Sequence, residues 1–400
     1  MKYRIKKQMK LSLNAKIYGM YINSSEGIID TKNTESISSM LYSIIGNIVD
    51  KFDIVYDATS QVTHLFLVDI TTCTTPSNAS ELINCLDLSM YKNGDIIYII
   101  LPYEGWTHMG TYIYNAFFNR FTNIDRECFY FCNELLNYPA IKNQLGLEYN
   151  HASFINIDTW YQPVNIDHTF DIKTKDFLCY NRVNRTHRCQ LIAELKIHDI
   201  INNGLVSFIP NYSFYDTQRD AEIILQNDPF LSEDKKQAYR GLVSEERIID
   251  TYNYESNGFD HTQFSKKMSH YSKTMFSVVT ESYWYEPEIS FTEKIFGPIA
   301  HGHPFIVVAP AGYLTYLRRL GFKTFDGIID ETYDTLTDHE QRMKAIVQEI
   351  NTFCNYSITE KFKKWALLNE IAQYNFEVFK SKTYVNSITT LMHLLGGNMT

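Results

Sequence analysis

The feature that most constrains the fold is the alternation of short apolar segments with longer segments of helical character. In the first part of the chain, we predict strands at AKIYGMYIN, FDIVYD, HLFLVDI, DIIYIILP and ASFINID, most of them buried on both faces. Helix-like segments such as TESISSMLYSIIGNIVDKF and TYIYNAFFNRF lie between them. Strands that alternate with helices form βαβ units, so this part is predicted to contain a mostly parallel sheet.

The alternation stops at the polar segment DTWYQPVNIDHTFDIKTK and then restarts. Further strands are predicted at DFLCYN, GLVSFI, MFSVVTE, PFIVVAP and KTFDG, with helices between them and two helical stretches at the end. A chain of 400 residues suits two domains. We therefore predict an α/β protein with two Rossmann-like domains and a cleft between them. Its predicted parts are an N-terminal domain 1–160, a linker 161–175, a second domain 176–357 and C-terminal helices 358–400.

Charge and cysteine usage narrow the function classes. The formal net charge is −9, which gives no overall electrostatic footprint for nucleic acid. The seven cysteines have no paired metal spacing, which is typical of reduced thiols in a cytosolic protein. The basic N-terminus is followed by no apolar signal region, and no run of 18 apolar residues occurs. We expect no signal peptide, no membrane span and a cytoplasmic location.

The segment FLCYNRVNRTHR indicates an anion site. A predicted strand runs into a loop and helix start that carry Arg182, Arg185 and Arg188. Guanidinium groups at such a position suit a polyanion such as a diphosphate, because each can pair with two oxygens at once. The alternative is a solvated helix start. That alternative is weaker, because cations at a helix N-terminus oppose the helix dipole.

A second segment, VVTESYWYEPEISFTEKIFGPIAHGHPFIVV, adds to this site. Glu293 and Lys294 open a predicted helix, where Glu293 suits two vicinal ribose hydroxyls and Lys294 suits a phosphate. Glu281 at the strand end and His301 after the helix are predicted to line the same site. The alternative for Glu293 is a carboxylate that only stabilises the helix start beside a Thr292 cap.

An acidic run further along the chain has a simpler interpretation. Asp326, Asp330, Glu331 and Asp334 resemble a Mg²⁺ site by composition, yet we interpret them as solvated loop and helix-cap residues. No metal site is predicted.

The Thr-Glu-Lys motif, its apolar helix, the small-residue turn and the Pro-led strand together resemble the donor-nucleotide motif of GT-B glycosyltransferases. The α-1,3-fucosyltransferases have a comparable Thr-Glu-Lys, and exostosin-type domains have a looser version. The full segment FTEKIFGPIAHGHPFIVVAPAGYLTYLRRLGFKTFDGIIDETYD, with FLCYNRVNRTHR upstream, also resembles glycosyltransferase-like proteins of tailed phages and giant viruses, and this resemblance is stronger. The resemblance covers about 176–345.

This resemblance implies a GT-B fold, in which the closing helices often cross back to the first domain. It implies a UDP- or GDP-linked sugar as donor, with no metal and no tightly bound cofactor. Glu293 would hold the donor ribose and Lys294 its pyrophosphate, and the three arginines would complete the phosphate site. The general base would come from the first domain, where LPYEGWTHMG offers Glu104 and His108.

The acceptor is open at this stage. A hydroxymethylated pyrimidine of phage DNA is one choice, which would place the protein in the host cytoplasm, and a glycan or a protein is another. A second class of function is a nucleotide- or sugar-binding module without catalysis. An NAD-dependent oxidoreductase is disfavoured, because no GxGxxG follows a predicted strand. No membrane partner is expected, and the sequence leaves the oligomeric state open.

Overall fold

The computed structural model describes most of the second half of the chain and part of the first half. The described residues are 9–13, 15–20, 52–56, 63–68, 76–84, 95–100, 107–133, 135–153, 173–181, 183–214, 217–249 and 268–382, with Leu86, Leu88 and Tyr91. None of the helices within these ranges combines the length and the apolarity that crossing a bilayer requires.

The chain divides into two compact units. Unit 1 comprises Met1–Thr159, Glu288–Ser290 and Lys382–Thr400, and unit 2 comprises Trp160–Pro287 and Phe291–Ser381. Most of the predicted linker 161–175 lies outside the described residues. Both units have mixed α/β structure with parallel sheets, in agreement with the fold class predicted from the alternating pattern.

Unit 1 is built on parallel strands. The described strands are β1 (Met9–Leu13), β2 (Ala15–Met20), β3 (Phe52–Tyr56), β4 (Thr63–Val68), β5 (Ile96–Ile100), β6 (Phe129–Asn133) and β7 (Asn150–Ser153). The described helices are α1 (Pro76–Asn84), α2 (Thr107–Arg120) and α3 (Tyr138–Leu145). Five strands pair in the order β2-β4-β5-β6-β7, and β1 pairs with β3, all of them parallel. The strands of covered parallel sheets are typically apolar throughout, and β5, with the sequence IIYII, is the clearest example here.

Helix α2 packs its apolar stripe on the core of unit 1. Met109, Ile113 and Phe117 recur at helical spacing and are fully buried. Gly110 lies on the same side, where an added Cβ would come within 2.6 Å of the ring of Tyr149. Only glycine permits this close approach, which places the first turn of α2 against Tyr149 and against Phe131 of β6.

Unit 2 has a smaller parallel sheet and more helix. Its strands are β8 (Lys175–Asn181), β9 (Gly204–Phe208), β10 (Asn211–Phe214), β11 (Thr217–Asp220), β12 (Thr274–Thr280) and β13 (Phe305–Val308). Its helices are α4 (Thr186–Ile197), α5 (Ala221–Gln226), α6 (Glu233–Tyr239), α7 (Met268–Lys273), α8 (Glu293–Ala300), α9 (Tyr313–Arg319), α10 (His339–Cys354) and α11 (Ile358–Lys382). The sheet order is β13-β12-β8-β9, all parallel, and β10 and β11 form an antiparallel hairpin.

The last helix, α11, belongs to unit 2 as far as Ser381. Phe379 packs against Phe296 of α8, with ring centroids 6.0 Å apart. Lys361 forms a 2.7 Å ion pair with Asp176 on β8, and both side chains are nearly buried. The domain boundary predicted at 357 therefore lies before a helix that packs on the second unit. Residues 383–400 lie outside the described range.

The structure differs from the sequence prediction at several strands, and β1, β10 and β11 were among those not predicted. Strand β6 was not predicted, yet Phe129 and Phe131 are fully buried at its centre. The segment KTFDG, predicted as a strand, forms a turn instead. The backbone N–H of Phe325 donates to a carboxylate oxygen of Glu331 at 2.6 Å, and that of Lys323 donates to Asn375 at 2.7 Å. These N–H groups are therefore bonded to side chains and not to a neighbouring strand. The predicted helix TESISSMLYSIIGNIVDKF lies outside the described residues.

Candidate functional site

The sheet of unit 2 has a topological switch point between β8 and β12. The chain leaves β8 through α4 toward β9 on one side, and leaves β12 through α8 toward β13 on the other. In open α/β sheets, ligands bind where such connections diverge, at the carboxyl ends of the strands. The carboxyl ends of β8 and β12 and the first turns of α4 and α8 therefore form the candidate site.

The basic residues at the start of α4 bind three consecutive backbone carbonyl groups, that of the last residue of β12 and those of the two residues after it. Arg188 donates to the carbonyl oxygen of Thr280 at 3.1 Å. His187 donates through Nε2 to that of Glu281 at 2.8 Å, and Arg185 donates to that of Ser282 at 2.6 Å. Carbonyl groups at a strand end need partners when they are buried. The segment that sequence analysis assigned to phosphate binding thus fixes the loop after β12.

This arrangement separates the roles of the two arginines that the structure describes. Arg188 is 4% exposed, and its guanidinium also donates to the carbonyl oxygen of Val183 at 2.9 Å. In this position it holds the backbone and does not face solvent. Arg185 remains partly exposed, so its guanidinium can contact both Ser282 and a ligand. Arg182 lies outside the described residues.

His187 is a neutral part of this basic cluster. Its pKa is lowered well below the usual range, first by burial and then by Arg188, Arg185 and Lys294. Protonation would add a fourth positive charge to a buried group, so the ring stays neutral and donates through Nε2.

Lys294 lies at the first turn of α8, on the other side of the switch point. Its Nζ donates to the hydroxyl oxygens of Ser282 and Thr292, each at 3.2 Å. It also forms an ion pair with Glu293 at 3.0 Å, and these two side chains are 23% and 32% exposed. The structure thus brings Glu293 and Lys294 together, both accessible to a ligand. Thr292 caps α8 through its side chain, as the sequence indicated.

Ser282 connects the two halves of the site. Its carbonyl oxygen accepts from Arg185 and its hydroxyl oxygen accepts from Lys294. Two cations from different helices are therefore held next to one buried residue, which is 4% exposed. An anion bound here would contact both cations and the positive N-terminal ends of α4 and α8. Sequence analysis did not identify Ser282, because a lone serine in a loop gives no signal.

Glu281 does not line this site. It is 1% exposed, and its carboxylate accepts from Thr292 at 2.6 Å and from Tyr313 at 2.7 Å. Burial raises its pKa, while Lys294, Thr292 and Tyr313 act in the opposite direction. Both carboxylate oxygens are engaged inside unit 2. The structure therefore makes Glu281 a support for Thr292, where sequence analysis predicted contact with the donor.

His301 lies at the other end of the sheet from Lys294. It is 2% exposed and stacks on Tyr271 of α7, with ring centroids 4.3 Å apart. Because α8 starts at the carboxyl end of β12 and runs back, its last residue lies near the start of that strand. The prediction that His301 lines the donor site is not supported by this position.

The acidic run after β13 is partly buried, contrary to the sequence interpretation. Asp326 and Asp330 are exposed, and Asp330 caps a 3₁₀ turn. Glu331 and Asp334 are each 7% exposed. Glu331 bonds to Arg318 and Thr324, and Asp334 accepts from the backbone N–H of Leu314 at 3.1 Å. Within the described ranges, no group of three or more His, Cys, Asp or Glu side chains is arranged to hold a metal ion.

The predicted catalytic residues belong to unit 1. Glu104 lies outside the described residues. His108 is exposed in the first turn of α2, where its ring contacts Tyr112 edge to face at 5.7 Å. Partial desolvation lowers its pKa, so the imidazole is neutral near pH 7 and able to accept a proton.

The comparisons with known proteins give no family for this chain. No protein-family model matches it, and its sequence matches no curated protein.

Proposed function

We propose that this protein is a glycosyltransferase of GT-B architecture that moves a sugar from a nucleotide-sugar donor to a hydroxyl acceptor. The observation that supports this most is the convergence of Arg185 and Lys294 on Ser282 at the switch point of unit 2. Two cations at two helix starts suit the diphosphate of such a donor. In this proposal, unit 2 binds the donor and unit 1 binds the acceptor.

The chemistry follows from the charges at this site. As the bond between the sugar and the diphosphate breaks, negative charge develops on the departing phosphate oxygen. Lys294 and Arg185 stabilise that charge electrostatically, which requires no metal ion. Glu293 exchanges its ion pair with Lys294 for the two hydroxyls of the donor ribose, so nucleotide binding also releases Lys294 to the phosphates.

The acceptor hydroxyl must lose its proton as the new glycosidic bond forms. His108, or Glu104 in the segment just before it, is the proposed general base. The neutral imidazole of His108 has a lone pair on one ring nitrogen that can take this proton. The acceptor itself is proposed only as a hydroxyl compound. Hydroxymethylated DNA is the first to test, and glycans and proteins follow.

A thermal-shift panel with UDP, GDP, ADP, CMP and their common sugar conjugates tests the donor site. A ligand at about 100 times its Kd stabilises the folded state by about 2.7 kcal/mol, which gives a measurable rise in Tm. We expect one nucleoside diphosphate to stabilise the wild type. Lys294→Ala is expected to lose most of the shift, whereas Lys344→Ala, at an exposed position on α10, is expected to keep it.

Two results would contradict the proposal at different points. If no nucleotide raises the Tm of the wild type, the donor site is wrong. If a nucleotide binds but no acceptor from the DNA, glycan and protein classes receives a sugar, the conclusion is that the protein binds the nucleotide without catalysing transfer. Release of the free nucleoside diphosphate in the presence of each acceptor class distinguishes the two.

A further inference from the structure

A hairpin that sequence analysis did not connect with the site places another arginine beside it. Strands β10 and β11 follow β9 directly and pair from Asn211 with Asp220 to Phe214 with Thr217. Arg219 lies near the base of this hairpin. Its guanidinium contacts the carbonyl oxygen of Asn184, the residue immediately before Arg185, at 3.5 Å. A contact of this length is weak, so it leaves the guanidinium available.

Asn184 holds the hairpin in this position. Its side chain is 1% exposed, and its Nδ2 donates to the carbonyl oxygens of Ile209, Pro210 and Arg219 at 2.9, 2.8 and 2.8 Å. These three carbonyl groups form the base of the hairpin. One buried amide thus attaches the hairpin to the loop that leaves β8, and this attachment brings residue 219 next to residue 185.

The two arginines form a pair of like charges. Burial lowers the pKa of Arg219, and the charge of Arg185 lowers it further. In the described part of the chain, neither guanidinium forms an ion pair with a carboxylate. The adjacent Asp220 caps α5, where it accepts from the backbone N–H of Ile223 at 2.8 Å. Two guanidinium groups held close without an acid are stabilised when a multiply charged anion binds between them.

We propose that Arg219 is a third cationic residue of the donor site, which holds one phosphate group together with Arg185 while Lys294 holds the other. This inference rests on the proposed function and makes it more specific. The ligand is a nucleoside diphosphate, bound at two phosphate positions on either side of Ser282. A nucleoside monophosphate fills only one position, and a nucleoside fills neither.

Calorimetric titration of the full chain tests this assignment. The ligands are UDP, GDP and ADP, each with its monophosphate and its nucleoside. For the diphosphate that binds the wild type, Arg219→Ala is expected to weaken binding by about tenfold or more, the usual effect of losing a charge-assisted hydrogen bond. Arg219→Lys is expected to recover part of the affinity, because lysine keeps the charge but loses the planar fork. Nucleoside binding is expected to stay unchanged.

The matched control is Arg240→Ala, which removes an exposed arginine from the same unit. It is expected to bind the diphosphate as the wild type does. Without ligand, Arg219→Ala is expected to unfold at no lower temperature than the wild type, because its removal relieves the repulsion with Arg185. If the alanine variant does not fold, Arg219→Gln replaces it, since glutamine keeps the length and lacks the charge.

The outcomes separate this inference from the proposed function. If the wild type binds no nucleoside diphosphate, the donor site fails and the inference fails with it. If the wild type binds one and Arg219→Ala binds it as tightly as Arg240→Ala does, only the role of Arg219 is overturned. Equal weakening of diphosphate and nucleoside binding would also overturn it, because that pattern indicates a general change of structure.

Discussion

The phenol of Tyr313 donates a 2.7 Å hydrogen bond to the carboxylate of Glu281, inside unit 2. The second oxygen of that carboxylate accepts from Thr292, and the hydroxyl oxygen of Thr292 accepts from the backbone N–H and from Nζ of Lys294. A chain of hydrogen bonds therefore runs from α9 to the first turn of α8. Glu281 acts through this chain, because it fixes the residue that positions Lys294.

Tyr313→Phe tests how much this chain of hydrogen bonds contributes to the free energy of unfolding. The substitution leaves one oxygen of a carboxylate that is 1% exposed without its donor. We expect a loss of about 1–3 kcal/mol in the free energy of unfolding, the cost of a buried acceptor without a partner. Urea denaturation of the full chain measures it.

Tyr316→Phe is the control, since Tyr316 lies on the same helix, is partly exposed and forms no hydrogen bond through its hydroxyl among the described residues. A change within about 0.5 kcal/mol is expected there, as for most surface substitutions. Equal effects of the two variants would show that the bond to Glu281 adds no stability.

Asp334 is expected to make stability depend on pH. It is 7% exposed, and burial raises its pKa from 3.8 to about 6. A carboxyl group with a raised pKa binds its proton more tightly in the folded state, so its contribution is present below the unfolded pKa. That contribution is lost as the pH rises through the folded pKa. The free energy of unfolding is expected to fall by about 3 kcal/mol between about pH 4 and 6. The pKa difference is about two units, and each unit corresponds to about 1.4 kcal/mol.

Asp334→Asn isolates this contribution. Asparagine keeps an oxygen for the backbone N–H of Leu314 and does not titrate. Arg318, Glu331 and Arg342, which are charged groups that interact with Asp334, are present in both proteins. The stability of the wild type minus that of the variant is expected to fall as the pH rises from 4 to 6.5 in urea titrations. A constant or rising difference would contradict the raised pKa.

The fold of unit 2 was largely predictable because its central strands are buried on both faces. The strands within DFLCYN, MFSVVTE and PFIVVAP are rich in apolar residues and buried almost throughout, as in a parallel sheet covered by helices. KTFDG misled the prediction, because Phe325 is fully buried and its segment has an apolar character similar to that of a strand. Its backbone partners come from Glu331 and Asn375, whose side chains no local pattern connects with it.

The candidate site was predictable in part, because the order of strands and helices in a parallel sheet determines which residues meet at its carboxyl edge. Arg185 and Lys294 each follow a strand of one parallel sheet, so their proximity follows from topology. The position of His301 also follows from topology, because a helix that runs back along its strand ends at the far edge. Arg219 gave no such signal, since a hairpin within a long polar region brings it to Arg185.

The attachment of this hairpin by Asn184 yields the last prediction. Asn184→Ala removes the amide that bonds to the carbonyl groups of Ile209, Pro210 and Arg219. We expect amide hydrogen exchange in β10 and β11 to accelerate by about tenfold or more. The hairpin opens more easily in the variant, because opening no longer requires the three hydrogen bonds of Asn184 to break. Exchange in β12 is expected to change little. Mass spectrometry of peptides from the two regions provides the measurement.

Asn203→Ala is the matched control, because Asn203 bonds to Asp176 at the start of β8 and is far along the sheet from the hairpin. It is expected to leave β10 and β11 protected. If Asn184→Ala accelerates exchange equally in β12, unit 2 has lost global stability and the hairpin is not a separate local unit. If acceleration is confined to the hairpin and diphosphate binding weakens as it does in Arg219→Ala, the position of Arg219 depends on Asn184. The phosphate site would then include this buried amide as a positioning residue.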